Sequence, residues 1–401
     1  MAGQPRILIV GAGIAGLALA ASLERFGMTP AVVEIGEASL SRGLALMLTS
    51  NAVTALRRAG LDKAIISQGV VLERIIHADP SGTPVEDDHD LGPANRRYAP
   101  NLGITRDGLM SALAGGMRSQ IRYATTITSV DGPGGEPEVA FSDGTRARFD
   151  LVVGADGIGS AVRKLTYPGI EPAYRSFCAW RTVMPCADPD PVFRLSSTAG
   201  CFLGSFPAGP DLVYAFLLAH YARVPVLSRD EHLARLKELA AAFQGNVSPL
   251  IQQQQDPANV IFVPVHEVQT PSYGRGRVLL IGDAAHAFSP LLAQGAAMAI
   301  EDAVALAELL AQGDIDQGLR DYESRRRPRV EIMRAAVRRR TVARGMEGPV
   351  TPGLLERHPP VFSASLKVFD ELIEDPFAQP VPGIQGLPSA ARVSASSQPM
   401  P

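Results

Sequence analysis

The 401 residues, 46% hydrophobic and 20% charged, suffice for a sizeable core in one large or two smaller domains and exclude a disordered chain. A formal charge of -3 gives no electrostatic reason to expect nucleic acid or an anionic membrane as partner. Three cysteines (Cys178, Cys186, Cys201) are too few and wrongly spaced for a disulfide framework or a zinc site, and no segment reaches a clean membrane span, so a cytoplasmic protein without metal is expected.

Arg6 to Val10 reads as a buried strand running into Gly11-Ala12-Gly13-Ile14-Ala15-Gly16. A helix continues to Phe26 with Gly27 as its cap, and Ala31 to Glu34 reads as the next strand. This is the dinucleotide-binding fingerprint in its required context. Gly11 makes the turn, Gly13 lets backbone approach a pyrophosphate, and Gly16 lets helix pack on sheet. Glu34 stands about 20 residues beyond the turn, where a carboxylate accepts from both ribose hydroxyls. Arg42 follows in a loop, where reaching the pyrophosphate and standing in solvent are equally open readings. Leu44 to Leu48 is apolar, and a helix is expected from about Asn51 to Ala59.

Residues 70–100 read as strands and loops of a second region. Glu86-Asp87-Asp88-His89-Asp90 has metal-type residues but no hydrophobic framing, and reads as a solvated acidic turn. Thr105-Arg106-Asp107 opens a helix to about Arg118; an arginine in a first turn opposes the helix dipole and implies a partner holding it. Ile121 to Val130 and Glu138 to Phe141 read as strands of a meander. Leu151 to Arg163 repeats the theme of a buried strand ending in an aspartate. Asp156 there is either a ligand contact or the cap of the next helix.

Ala173 to Val183, Gly200 to Phe206, Leu212 to His220 and Asn259 to Val265 read as strands, with a helix from about Asp230 to Phe243. Trp180, Arg181, Phe206, Tyr214 and Phe216 are the candidates for lining a pocket on this sheet. Val278 to Ile281 is another buried strand; Gly282 ends it and leaves Asp283 at the carboxyl end, where open α/β sheets bind ligands. A loop leads to a helix from Gly295, whose unpaired amides favour an anion or an electron-rich carbonyl. Asp321 to Arg344 is helical and arginine-rich and reads as a solvated helix, with docking of an NADPH phosphate as the alternative. Leu366 to Ile373 reads as a last helix and the chain from Pro376 as a mobile tail.

Together, the Gly11–Glu34, Asp156-Gly157 and Gly282-Asp283 segments resemble the flavoprotein aromatic hydroxylases, the para-hydroxybenzoate hydroxylase-like single-component FAD monooxygenases, over roughly residues 5–345. The resemblance implies an α/β fold: a Rossmann-type (GR2-like) FAD-binding domain of residues 1–70, 101–170 and 272–345. A mixed-sheet substrate domain of 71–100 and 171–271 is interleaved with it, followed by a C-terminal helical segment, 346–375, and a tail, 376–401. It implies that Gly11, Gly13, Ala15, Gly16 and Glu34 hold the AMP half of FAD and that Arg106 lies near pyrophosphate and flavin. Gly282 and Asp283 would bind the ribityl chain, and Pro290, Ala293, Gln294, Gly295, Ala296 and Ala297 would pass beside the ring. Asp156 would be linked to FAD and NAD(P)H together, and Arg42 and Ile127 complete the expected cofactor set.

Two departures bear on pocket shape and flavin mobility: Ala293 stands where the pattern Pro-x-x-Gly-Gln-Gly has its first glycine, and Ser50-Asn51 replaces Pro-Asn. The activity implied is hydroxylation of an aromatic or heteroaromatic small molecule through a flavin C4a-hydroperoxide, with NADPH or NADH as electron donor and O2 as co-substrate. A reductase or dehydrogenase of the same fold and an alkene epoxidase are the alternatives, and monomer and homodimer are both open. A halogenase is excluded because Trp180 is the only tryptophan. For catalysis Arg181, Tyr214 and His220 are candidates, with His266 a further possible base by type; His286 reads as structural.

Overall fold

Three short runs, Ile7–Val10, Leu151–Gly154 and Val278–Leu280, carry no polar side chain and are buried throughout, as parallel strands covered on both faces must be. In the computed structural model, which describes residues 4–37, 44–85, 89–132, 135–198, 200–245 and 247–343, they lie side by side. Leu8 pairs with Val152 on one side and Ala31 on the other, and Val152 pairs with Val278, all parallel. The register brings the carboxyl ends of these strands to one edge. Arg42, Glu86 to Asp88 and the expected elements beyond residue 343 lie outside the described residues.

Ile121–Arg122 completes this six-stranded sheet by pairing parallel to Ala31–Val33, so it leaves the expected meander. That meander is instead Ile127–Asp131, Glu138–Phe141 and Arg146–Arg148. Helix Ile14–Arg25 packs on the sheet and against helix Gly295–Leu310. The latter is apolar nearly all round and correspondingly buried.

The second large sheet has the order Val260–Glu267, Ala173–Pro185, Leu212–His220, Cys201–Gly209, Val192–Thr198, Arg74–Ala78, His89–Asp90. Its strands are antiparallel except where Val192–Thr198 meets Arg74–Ala78. Residues 74–90 thus join a sheet otherwise built from 173–267. Alternation along the strands gives it two faces. Cys178, Trp180, Leu203 and Leu217 point to helices Arg229–Ala240 and Val247–Gln253, while Ala179, Phe202, Phe206 and Tyr214 point the other way. Trp180 is therefore fully buried on the reverse face, against Phe262 and His232, and lines no pocket. A small sheet, Ala45–Leu48, Leu102–Thr105 and Val70–Val71, docks the two large ones. It approaches so closely that a Cβ on Gly103 would lie 1.9 Å from the Pro207 carbonyl oxygen.

Helix Ile315–Ala343 departs from expectation. Arg326 and Arg334 are each 2% exposed, so the helix is not a solvated one, and its central arginine is spent on buried carboxylates rather than offered to a phosphate. No helix among the described residues is long and apolar enough to cross a membrane.

Candidate active site

The glycine turn is pressed against its neighbouring strand end. Gly11 has φ +104°, and a Cβ there would lie 2.5 Å from the Ala155 carbonyl oxygen and 2.8 Å from Asp156 Cα. A Cβ on Gly16 would lie 1.9 Å from the Gly11 carbonyl oxygen. The Glu34 carboxylate stands over the turn, accepting from the Ala12 and Gly36 amides at 2.8 Å each. Gly282 (φ +57°) packs toward Ala15 and Ala299, which seats Asp283 beside the fingerprint helix.

Arg106 joins the two ends of the groove. It begins helix Arg106–Ala114, whose cap Thr105 accepts from the Gly108 amide, and its Nη2 is 4.0 Å from the Cβ position of Gly13. Burial and the nearby Arg181 guanidinium lower its pKa, against Asp283, Asp107 and Glu34, which raise it. No ion pair to Arg106 is formed among the described residues, so the partner its place in a first turn implies is left to a bound ligand. Its Nε has no hydrogen-bond partner among the described residues, an unsatisfied buried donor facing the groove. Close backbone at the turn, an acid at one end, a waiting guanidinium in the middle and Asp283 at the other end all fit FAD.

Asp156 makes the contacts of a helix cap. Its carboxylate accepts from Ser160 Oγ at 2.5 Å and from the Ala161 and Val162 amides at 2.7 and 3.1 Å, capping helix Ala161–Thr166. Burial raises its pKa against those hydrogen bonds. Its backbone, not its carboxylate, borders the Gly11 turn. Sequence reading passed over Arg163, which is fully buried and donates to the carbonyls of Ile158, Ile170 and Ala284, tying this segment to the Asp283 loop. Ile127 is buried in the small meander, in register with Phe141.

Both departures from the family pattern become physical here. Ser50 begins helix Ser50–Arg58, where proline needs no amide hydrogen; the serine amide instead donates to Asn101 Oδ1 at 3.1 Å. Its neighbour Asn51 donates to Gln294 Oε1 at 3.0 Å and Glu301 Oε1 at 2.7 Å, and Gln294 donates to Thr49 at 3.2 Å, which anchors the loop before Gly295. Ala293 in that loop is left-handed, with φ 54° and ψ 26°, the conformation glycine takes freely and alanine at a cost of about 1–2 kcal/mol. Ala293→Gly is therefore expected to raise stability by about 0.5–1 kcal/mol, after the extra unfolded-state entropy of glycine is offset, and urea unfolding of the two proteins checks it.

Beneath the loop lies a buried ionic network. Asp302 accepts from the Gly282 amide (2.9 Å), His286 Nε2 (2.6 Å) and Arg326 Nε (2.7 Å). Glu301 accepts from Arg326 and Arg329. His286, 2% exposed, commits its Nε2 to this network.

The groove opens at Asp283 into a cavity of about 350 Å³ between the cofactor sheet and the second sheet. Asp283 faces this space, while the protein around the recess raises its carboxyl against the lowering effect of His286, Arg106 and Arg181. The walls are mostly apolar, with Phe206, Tyr214 and Phe216 on the sheet side and Pro290 to Ala293 opposite. Arg181 is half-buried there; burial raises the Tyr214 phenol against the lowering effect of that nearby guanidinium.

His266 also lines the cavity. Its Nδ1 lies 3.1 Å from the Pro264 carbonyl, which can only accept, so Nδ1 carries a proton and in the neutral ring Nε2 has the lone pair. His220 does not line the cavity; it sits at its strand's end, edge-on to Phe177 at 5.7 Å. His77, 4% exposed on strand Arg74–Ala78, lines it instead. Its signal is the shared parity with Ile75 in a strand whose remaining residues after Arg74 are apolar.

A dinucleotide groove running from a glycine turn to a strand-end aspartate, and opening there onto a mainly apolar cavity, defines a single-component flavoprotein oxygenase. The family described as FAD binding domain matches residues 5–337, and the chain belongs to it. It is 33% identical over 335 residues to 2-heptyl-3-hydroxy-4(1H)-quinolone synthase of Pseudomonas aeruginosa, covering 82% of this chain and 86% of that one. It is 32% identical over 373 residues to salicylate hydroxylase of Pseudomonas putida, covering 81% and 82%. The crystal structure of Klebsiella pneumoniae HpxO complexed with FAD and uric acid shares the fold, with TM-score 0.81 at 23% identity over 95% of this chain and 98% of that one. The protein is an FAD-dependent monooxygenase of the aromatic hydroxylase type, using NAD(P)H and O2.

Proposed function

We propose that this enzyme hydroxylates a planar aromatic or heteroaromatic small molecule carrying a phenolic or tautomeric oxygen. The single observation that carries this reading is the position of Arg181 and Tyr214, side by side in a mainly apolar cavity that meets the cofactor groove at Asp283. Gly11, Gly13, Ala15, Gly16 and Glu34 hold the AMP half of FAD, with Ile127 and the Asp156 backbone beside it. Arg106 takes the pyrophosphate, with Arg42 as a second candidate. Gly282 and Asp283 take the ribityl chain, and Pro290 and Ala293 to Ala297 take the ring. When bound and reduced by NAD(P)H, FAD supplies the activated oxygen.

The protein's own contribution is placement, charge and dryness. Arg181 orients the substrate oxygen and favours its anion, Tyr214 shares that hydrogen bond, and His266 Nε2 accepts the proton in place of His220. The amides at the start of helix Gly295–Leu310 favour negative charge on the neighbouring ring. Residues 71–100 and 171–271 form the substrate half and the remainder to 345 the cofactor half, working in the cytoplasm as monomer or homodimer.

A panel of aromatic compounds tested for NAD(P)H-driven oxygen uptake, with mass analysis of products, tests the reading. Uptake matched by a product gaining one oxygen atom supports it; reduction of substrate without oxygen uptake would make the enzyme a reductase. With the substrate so found, Arg181→Met is expected to raise KM by about 10- to 100-fold, the loss of one charged hydrogen bond of about 1.5–3 kcal/mol, in steady-state kinetics of the holoenzyme.

A further inference from the structure

Gly204 sits in the middle of strand Cys201–Gly209, in regular register with Leu195 on one neighbour and Phe216 on the other. A glycine inside a strand costs about 0.5–1 kcal/mol relative to alanine, and there is no bulge at this position to account for it. Its direction is that of Phe202 and Phe206, two residues to either side, and both of those line the active-site cavity.

What fills the missing side chain's place is the ring of Phe216: a Cβ on Gly204 would lie 2.3 Å from Phe216 Cζ and 2.5 Å from Cε1. Side chains on a sheet normally stand away from it. Here the Phe216 ring leans over its cross-strand neighbour and lies along the sheet, leaving the cavity floor recessed. On its other side Phe216 is in register with Arg181, so recess and cation adjoin.

The recess is bounded by the Phe206–Tyr214 pair one step along the strands and by the Phe202–Leu218 pair on the other side. The rings of Phe202 and Tyr214 flank that of Phe216 at 5.8 and 6.0 Å, centroid to centroid, one at each end of the recess, so its floor is longer than a single ring.

We propose that Gly204 is a specificity-determining residue, letting Phe216 lie flat so that the site takes a planar substrate of two fused rings, its face on Phe216 and its oxygen toward Arg181. This rests on the reading of the cavity as an aromatic hydroxylase's substrate site.

The test uses two probes that differ only by the fused ring, 4-hydroxypyridine and 4-hydroxyquinoline, bound to the holoenzyme and followed through the visible absorbance of its flavin. The two-ring probe is expected to bind at least about tenfold more tightly to the unaltered protein. Gly204→Ala is expected to weaken 4-hydroxyquinoline by about tenfold or more and 4-hydroxypyridine by less than about threefold. Adding Phe216→Leu to Gly204→Ala, which removes the displaced ring, is expected to restore the two-ring probe. Equal weakening of both probes, no change in either, failure of the double variant to recover, or binding of neither probe to the unaltered protein would overturn the proposal. The functional reading fails separately, if the expected binding pattern holds but no aromatic compound supports oxygen uptake with an oxygenated product.

Discussion

Arg326→Leu is expected to destabilise the protein by about 3–5 kcal/mol, the loss found when one partner of a buried ion pair is removed and the other stays behind. The guanidinium is 2% exposed and divides itself between two carboxylates that are fully buried, reaching Asp302 Oδ1 and Glu301 Oε2 at 2.7 Å each. His286 would remain on the other Asp302 oxygen and Arg329 on both Glu301 oxygens, so Asp302 Oδ1 is the oxygen that loses its cation. Arg326→Lys keeps the charge and loses the planar fork, and should fall between the two. Urea unfolding of the holoprotein reads the order directly.

The same network has a pH signature. Burial pushes the Asp302 carboxyl up, but His286, Arg326 and the hydrogen bonds from His286 and the Gly282 amide outweigh it and hold the group at about 2, below its ordinary 3.8. A pKa depressed by folding adds stability above the unfolded value and loses it as pH falls through the folded one. The contribution, about 2–3 kcal/mol, is thus present above about pH 4 and lost between about pH 4 and 2. In Arg326→Leu one of the lowering charges is gone, so stability should fall less over that interval. An unchanged acid slope would mean that Arg326 does not hold Asp302 ionised.

Sequence reading found the three strand ends because their causes are local. A strand covered on both faces must be an apolar run, and a turn against a neighbouring strand must be glycine, as at Gly11. Asp156 was ambiguous because capping and ligand contact demand the same residue at the same place, and only the Ser160, Ala161 and Val162 positions separate them. The arginine helix was misread by composition although its periodicity held the answer. Arg326 falls on the stripe of Tyr322, Val330, Met333 and Val337, all buried, with Arg334 buried further along, so the face that counts is apolar around two arginines. The partners of Arg326 lie 24 and 25 residues earlier on another helix, beyond any local pattern. Trp180 and Arg181 could not both line one cavity, since consecutive strand residues face opposite ways. His220 shares Tyr214's parity, and what removes it is its place at the strand's end, a matter of sheet extent.

Gly11→Val is expected to yield protein without bound FAD, its affinity lowered by about 100-fold or more, equivalent to about 2.7 kcal/mol. Two effects act together. The φ of +104° lies where a β-branched residue is strained by about 1–3 kcal/mol. The new Cβ would also meet the Ala155 carbonyl and Asp156 Cα, backbone atoms at a strand end that cannot rotate aside. The turn must therefore shift as a unit, and with it the Ala12 amide that fixes Glu34, the acid proposed to hold the ribose.

Gly157→Ala separates strain from crowding: Gly157 also has positive φ, +73°, but nothing lies within 4 Å of its Cβ position. It should lose about 1–2 kcal/mol of stability and keep its FAD. Fluorescence titration of FAD into each apoprotein gives the affinities, and circular dichroism shows whether the Gly11 variant remains folded. A folded Gly11→Val protein that kept full FAD affinity would mean that the nucleotide does not sit on this turn. The groove through Arg106 to Asp283 would then have some other occupant.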